Sequence, residues 1–71
     1  PDYAAGHRAL GEMLLYSGQN AEALTELRTA VRLAPEDPMM HASLAKGLEA
    51  AGLGAEARDE MEKARALARP R

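Results

Sequence analysis

The chain has 71 residues, a net charge of −2 and no cysteine. A chain of this length forms one small domain, and it buries a smaller fraction of its surface than a long chain does. Without cysteine it has no disulfide and no thiolate nucleophile or metal ligand. Its charge balance excludes a strongly attractive field for nucleic acid or an anionic membrane.

The first predicted helix runs from Tyr3 to Ser17. Its apolar residues recur at steps of three and four, which places them along one side of an α-helix; they are Ala9, Leu10, Met13 and Leu14. We expect Gly18 to end this helix, because glycine takes the left-handed conformation at a helix C-terminus without a Cβ penalty.

The second predicted helix begins after Asn20, whose side-chain oxygen we expect to cap it. Glu22 then lies in the first turn, where the helix dipole favours negative charge. Pro35 marks the end of this helix. The apolar positions again fit a period of 3.6 residues; they are Ala23, Leu24, Leu27, Ala30, Val31 and Ala34.

Two further helices follow in the second half of the chain. Asp37 before Pro38 predicts the start of a third helix, since Asp is a good N-cap and proline is tolerated at the first helical position. We expect this helix to run to about Ala51 and to end at Gly52, and a fourth to span residues 55–68. No stretch alternates with period two and no apolar run is long enough for a membrane span, so an all-α fold is predicted.

The sequence repeats itself at an offset of 34 residues with twelve identities and no gap. The paired positions in the first half are Pro1, His7, Leu10, Leu14, Gly18, Ala21, Glu22, Ala23, Glu26, Ala30, Leu33 and Ala34. We therefore expect a single domain over residues 1–71, with repeat one at 4–37 and repeat two at 38–71. Small residues in both repeats are expected to let the helices approach closely; they are Gly11, Ala23, Ala30, Ala45, Ala57 and Ala64.

The two repeats differ at their outward positions. Leu24 and Val31 lie seven residues apart on one helix face, where a following repeat can cover them. Arg58 and Arg65 stand at the equivalent places in repeat two, as expected of a last helix whose outer face meets water. The alternative is that the long arginine stems lie over apolar surface with their charged ends in solvent. Pro1 occupies the place of Pro35 one period earlier, which suggests a segment of a longer array that begins further upstream.

No catalytic or metal-binding constellation is predicted. We expect His7 and His41 to lie about 10 Å apart on neighbouring helices, too far for one metal ion. Neither has a carboxylate or a second histidine four residues later, so a helical pair of metal ligands is not predicted either. The preferred interpretation is that both histidines fill half-buried positions. The basic C-terminal tail lacks the interleaved aromatic residues of a nucleic-acid contact.

Charged residues on the second and fourth helices form pairs at i,i+4. Two of these pairs are carboxylates on a face predicted to be solvated, namely Glu22 with Glu26 and Glu56 with Glu60. Two are predicted ion pairs, namely Arg58 with Glu62 and Asp59 with Lys63. We expect no enzyme activity, no cofactor and no metal ion.

The motif order resembles a tetratricopeptide repeat, whose pattern is W-x2-L-G-x2-Y, then A-x3-F, then P. Repeat one reads His7-x2-Leu10-Gly11-x2-Leu14, Ala23-x3-Leu27 and Pro35. Repeat two reads His41-x2-Leu44-Ala45-x2-Leu48 and Ala57-x3-Met61, with Arg69 where Pro35 stands and the proline one residue later at Pro70. The resemblance covers essentially the whole chain and implies two helix-turn-helix repeats of an α-solenoid.

This resemblance implies a concave groove, lined by the first helix of each repeat, that holds a peptide or helix of a partner protein. The implied groove residues are Ala5, Arg8, Glu12, Leu15, Tyr16, Met39, Ala42, Lys46, Glu49 and Ala50. One subclass of the family clamps a C-terminal carboxylate, but Glu12 and Ser43 stand where its Asn residues would be, so that activity is not predicted.

Two functions follow from these expectations. The first is a protein–protein interaction scaffold that is part of a longer protein. The alternative is a homo-oligomerisation module, because two repeats are fewer than a solenoid usually needs and their open helical end faces could pair with another copy. Neither function requires nucleic acid or membrane insertion. The sequence names no compartment, and a soluble, cytoplasmic protein is favoured over a secreted one.

Overall fold

The computed structural model describes residues 3–70. Its helices are α1 (Tyr3–Tyr16), α2 (Asn20–Leu33), α3 (Pro38–Ala50) and α4 (Gly54–Ala68), and no strand occurs among these residues. The predicted all-α architecture is therefore confirmed, with boundaries that differ by one or two residues. Pro1 and Arg71, on which the expected start and end of the array depend, lie outside the described residues.

Glycine closes the first helix of each repeat, as predicted. Gly18 and Gly52 have φ values of +79° and +80°, a conformation that glycine adopts without steric cost. The residue after each glycine donates its backbone N–H to a carbonyl oxygen in the last turn of the helix. The N–O distance is 2.8 Å both from Gln19 to Leu14 and from Leu53 to Leu48. This bonding satisfies the free carbonyl groups at the helix end and reverses the chain into a hairpin.

The two predicted N-caps have different outcomes. Asp37 caps α3, since its carboxylate accepts a hydrogen bond of 2.9 Å from the backbone N–H of Met39, and Pro38 follows it. The prediction for Asn20 is wrong, because Gln19 holds the cap position and makes no side-chain cap bond. The Asn20 amide instead donates to the Ala50 carbonyl oxygen at 3.3 Å, and so links the two repeats.

The core lies where α2 packs against α3. Leu27 and Leu48 are almost fully buried there with Leu44 and Ala57, and Leu15, Leu24 and Val31 pack against them. All six small residues expected at the helix contacts are buried, namely Gly11, Ala23, Ala30, Ala45, Ala57 and Ala64. A Cβ at Gly11 would lie 2.6 Å from Leu27 Cγ, which explains why no larger residue fits at that position.

The predicted apolar side of α1 is mostly exposed. Leu10 is 44% exposed and Met13 is 67% exposed, and Ala9 also faces solvent. The buried residues of α1 are Ala4 and Gly11. The periodicity did find a helix, but its widest apolar stripe points away from repeat two, so nothing in residues 3–70 covers it.

The outer side of α4 confirms one prediction and corrects another. Arg58 and Arg65 are exposed, as expected of a helix without a following repeat. The predicted i,i+4 ion pairs of α4 are absent from the described contacts, and pairs at i,i+3 replace them: Lys63 with Glu60 at 3.2 Å and Arg65 with Glu62 at 3.6 Å. Both lysine and arginine reach back toward the N-terminus of the helix, which is the direction helical side chains lean.

The molecule is a thin slab with dimensions of 38 × 32 × 16 Å. Its short dimension is little more than the 10–12 Å diameter of one α-helix with side chains. Within residues 3–70, every helix is too short or too polar to cross a membrane.

Candidate partner-binding groove

A concave surface lies between α1 and α3. An open cavity of about 260 Å³ is lined there by Glu12, Leu15 and Tyr16 from α1 and by Lys46 from α3. All four belong to the groove that the family resemblance implied. The structure therefore brings together residues from both repeats that are thirty or more positions apart in sequence.

The other six implied groove residues do not line this cavity. Ala5, Arg8 and Ala42 are half-buried, whereas Met39, Glu49 and Ala50 are exposed. Glu49 lies at a second cavity, beside Ala57 and Arg58 on the outer side of repeat two. Glu49 holds the place in repeat two that Leu15 holds in repeat one, and that place faces the next position in the stack.

Glu12 is the electrostatic centre of the groove. Its carboxylate accepts a 2.6 Å hydrogen bond from the Ser43 hydroxyl and lies 3.7 Å from Lys46 Nζ and 3.4 Å from Arg8 Nη1. The Ser43 hydrogen bond lowers the pKa of Glu12 most; burial opposes it, and the Lys46 and Arg8 charges add to it, so the net pKa is below its usual value. Glu12 is therefore an anion held by both repeats.

Arg8 extends this network toward the start of α1. Its Nε atom is buried and has no hydrogen-bond partner within the part of the chain that the structure describes. Its Nη1 atom contacts Glu12, so the Arg8 and Lys46 side chains share the Glu12 carboxylate. The groove surface consequently carries one more positive than negative charge at these three residues.

Leu15 and Tyr16 have different environments although they are neighbours. Leu15 is half-buried and packs against the core cluster, so this implied groove residue also contributes to the core. Tyr16 is 96% exposed at the last position of α1. An aromatic ring held in solvent at a helix end, beside a cavity, is available to a partner.

A His–Glu pair in each repeat was missed by sequence reasoning. His41 Nδ1 lies 2.6 Å from Glu60 Oε1, and His41 Nε2 lies 2.7 Å from the Pro35 carbonyl oxygen. His7 Nδ1 lies 2.7 Å from Glu26 Oε1 in the same arrangement. A His–Glu spacing of 19 residues, present in both repeats, is the signal that could have found these pairs.

Burial distinguishes the two pairs. The His41 and Glu60 side chains are 7% and 14% exposed, whereas those of His7 and Glu26 are 38% and 25% exposed. The predictions that Glu26 and Glu60 lie on a solvated face are thus wrong, since both bind histidine. Both ring nitrogens of His41 face acceptor oxygens, so its ring is held on both sides, by Glu60 and by the Pro35 carbonyl group.

The pKa of the Glu60 carboxyl group depends on this environment. Burial raises the pKa of Glu60, whereas the hydrogen bonds and charges of His41 and Lys63 lower it. The lowering effects together outweigh burial, so the net pKa is below its usual value. The pair is a structural tie between α3 and α4. Among residues 3–70, no three His, Asp or Glu side chains are grouped closely enough to hold a metal ion.

Comparison with known proteins agrees with this geometry. Residues 4–37 match the family model for the tetratricopeptide repeat. These residues form the hairpin of α1 and α2, and residues 38–70 form a second hairpin of the same build. No curated protein and no solved structure matches the chain.

Proposed function

We propose that this chain, a member of the tetratricopeptide repeat family, is a protein–protein interaction scaffold that holds a peptide or helix of a partner protein in the groove between α1 and α3. Tetratricopeptide repeats generally act as interaction scaffolds and typically are not catalytic. The use of this groove, and the kind of segment it binds, are the parts that go beyond the family.

The exposed ring of Tyr16 beside the groove cavity is the observation that carries the proposal. Tyr16 is 96% exposed and lines the cavity of about 260 Å³ with Leu15. Tyrosine is enriched at interfaces because it provides a large contact area with few rotatable bonds and one polar group. A single partner side chain, packed against Tyr16 and Leu15, would fill part of this cavity.

The charges around the cavity favour one polar feature of the partner. The Glu12 carboxylate is already bound by Ser43, Arg8 and Lys46, so it has little remaining capacity to bind a cation. The Lys46 side chain is 67% exposed and can reach a second acceptor. We therefore expect a segment with an aromatic or large aliphatic side chain and a carboxylate close to it.

A peptide library displayed on phage and selected against the full chain tests this proposal. The selected peptides would be titrated against the wild type and against Tyr16→Ala, Lys46→Ala and Met39→Ala. Loss of an anchoring aromatic residue at an interface centre typically costs more than about 1.4 kcal/mol, which is tenfold in affinity. We expect this loss for Tyr16→Ala and a smaller one for Lys46→Ala and Met39→Ala.

Arg65→Ala is the matched control, because Arg65 is exposed on the outer side of α4, away from the groove. It should leave the affinity unchanged. Selected peptides that bind all the groove variants as tightly as the wild type would contradict the proposed groove.

A further inference from the structure

We propose that the groove contains an anion-binding site, that Glu12 fills this site in the free chain, and that a carboxylate of the partner competes with Glu12 for it. The donors of the site come from Arg8 in α1 and from Ser43 and Lys46 in α3. Glu12 then determines how strongly an acidic partner binds. The filled site is a property of the chain alone, whereas the competition rests on the function proposed above, so the two are tested by separate experiments.

All three donors approach the same oxygen atom of Glu12. The Ser43 hydroxyl donates to Oε2 over 2.6 Å, the shortest of the three distances. Lys46 Nζ lies 3.7 Å and Arg8 Nη1 lies 3.4 Å from this same atom. Two cationic groups and one hydroxyl that converge on a single point form a site for a negatively charged oxygen, since hydrogen bonds to a charged acceptor are stronger than neutral ones.

The floor of the site is the buried hydroxyl of Ser43. Ser43 is 2% exposed, and its hydroxyl donates to a side chain of the other repeat. A buried hydroxyl without an acceptor costs free energy, so an acceptor oxygen belongs at this point in the folded chain. When the Glu12 side chain is removed, the oxygen of another carboxylate can take that place.

The site is not part of the 34-residue repeat. Glu12 and Lys46 occupy the same place in the two repeats and carry opposite charges. Arg8 and Ser43 both have alanine as their counterpart in the other repeat. Neither repeat carries the whole set, so helix packing within a repeat does not require it. The site exists only where α1 and α3 meet.

Glu12 leaves both cations only partly bound. It contacts Arg8 through one nitrogen at 3.4 Å, which is longer than about 3.2 Å, the usual upper distance of an N–H···O hydrogen bond. Arg8 Nε has no hydrogen-bond partner among residues 3–70. Lys46 Nζ lies farther from Glu12, and the Lys46 side chain is 67% exposed. Two positive charges therefore face one carboxylate, and Lys46 is accessible to a second one.

The negative charge of Glu12 opposes a carboxylate of the partner. The pKa of Glu12 is below its usual value, chiefly through the Ser43 hydrogen bond, so the group is ionised at neutral pH. A second carboxylate at Lys46 would lie close to Glu12, where like charges repel. Neutralising Glu12 removes this repulsion and leaves the positive charges of Arg8 and Lys46 uncompensated. An acidic partner should then bind more tightly, and a neutral one should not.

Acetate tests the site without any partner. Glu12→Ala removes the carboxylate and leaves the donors in place, so free acetate can take the position of Oε2. Thermal unfolding of this variant and of the wild type would be followed by circular dichroism in sodium acetate and in sodium chloride, at equal ionic strength and pH. A ligand that binds only the folded state raises the melting temperature. We expect acetate to raise that of Glu12→Ala by about 3 °C more than that of the wild type.

Two further variants show whether acetate binds at this position. Glu62→Ala is the matched control, because Glu62 also contacts an arginine, at 3.6 Å, and its side chain is 68% exposed on α4. It should respond to acetate like the wild type. Adding Ser43→Ala to Glu12→Ala removes the shortest contact of the site and should remove most of the acetate effect. Equal responses of the wild type and Glu12→Ala would overturn the filled site.

Peptides from the groove selection test the competition. Each acidic peptide would be made with an amidated C-terminus, once as selected and once with its Asp or Glu replaced by the amide. Glu12→Gln keeps an acceptor for Ser43 and loses the negative charge. It should bind the acidic form about fivefold more tightly than the wild type does, and the amide form equally. A third form, with the amide side chain and a free C-terminal carboxylate, distinguishes the two sources of a carboxylate, and a gain for either supports the competition.

Three outcomes would overturn the competition. Glu12→Gln could leave the affinity for both carboxylate-bearing forms unchanged, or it could raise the affinity for the amide form as much. The third is a set of selected peptides without any acidic residue. The acetate measurement contains no peptide, so it decides the anion site even when no peptide binds the groove. Loss of peptide binding in Tyr16→Ala, in turn, reports on the groove alone.

Discussion

The first helices of the two repeats share a motif and differ in burial. In α1 two residues are buried, Ala4 and Gly11, whereas in α3 seven are buried. Leu10 and Leu14 have identical counterparts in Leu44 and Leu48, so side-chain chemistry does not explain the difference. Burial depends on the neighbour: α3 has α2 on one side and α4 on the other, while α1 has only α2 and the edge of α3.

The second helices show the reverse difference in burial, because here the helix of repeat one is covered and that of repeat two is exposed. Leu24 and Val31 of α2 pack against the core, whereas Arg58 and Arg65 of α4 are exposed. At the C-terminal end of the stack, charged residues that water solvates therefore stand at the places that are apolar in repeat one. At the N-terminal end, Leu10 and Met13 remain apolar and exposed. The contrast indicates that only one end of this two-repeat stack is adapted to water.

The largest expected difference between the repeats is that between Leu44→Ala and Leu10→Ala. Removing the buried Leu44 side chain leaves a cavity in the core and should cost about 2–5 kcal/mol of unfolding free energy. Leu10 is already 44% exposed, so Leu10→Ala should cost less than about 1 kcal/mol. Urea denaturation followed by circular dichroism measures both, and equal costs would mean that α1 is covered in solution.

The two His–Glu pairs should differ next. His41→Ala leaves Glu60 and the Pro35 carbonyl without their partner in a buried site, and should cost about 2–3 kcal/mol. His7→Ala removes a half-exposed pair and should cost about 0–1 kcal/mol. The same denaturation experiment compares them. A larger loss for His7→Ala would contradict the ranking by burial.

Overpacking tests the small residues of α2. Ala23 has no exposed surface, and Ala23→Leu should cost about 1–3 kcal/mol because its neighbours must move. Ala21→Leu, at an exposed position of the same helix, is the matched control and should change stability by less than about 0.5 kcal/mol. An unchanged melting temperature for Ala23→Leu would count against the close packing of α2.

The smallest expected effect is the dependence on acid. The pKa values of Glu12 and Glu60 are lowered in the folded state, so both carboxylates stabilise the fold above the ordinary glutamate pKa of about 4.5. This stabilisation is lost as the pH falls below that value through the lowered folded pKa. Glu60→Gln should therefore make stability fall less steeply with acid, and the exposed Glu62→Gln is the control. Parallel curves for Glu60→Gln and wild type would contradict this.

Local features were predicted well from the sequence. Gly18, Gly52 and Asp37 act through their own backbone or an adjacent N–H group, so residue type is enough to assign them. The prediction that Asn20 caps α2 was wrong, because the Asn20 amide donates to Ala50 in the other repeat. A capping rule does not consider such distant acceptors. The Glu60 side chain was placed in solvent for the same reason, since its partner His41 lies on another helix.

The groove itself stays a prediction from the family resemblance. Glu12, Leu15, Tyr16 and Lys46 do come together at one cavity. The hydrogen bond from Ser43 to Glu12 and the second role of Leu15 in the core were not predicted, because both depend on how α1 crosses α3. Partner binding by these residues stays a prediction.

By itself the sequence determined four helices, two glycine-closed turns and a 34-residue repeat, because these depend on periodicity and on the backbone preferences of single residues. Only the tertiary structure decided which apolar stripe is covered. Leu10 and Leu44 are the same residue in the same motif, and the presence of α2 over one of them makes it core. Burial depends on the surrounding helices as well as on the residue, so a repeated motif leaves it undetermined at an open end.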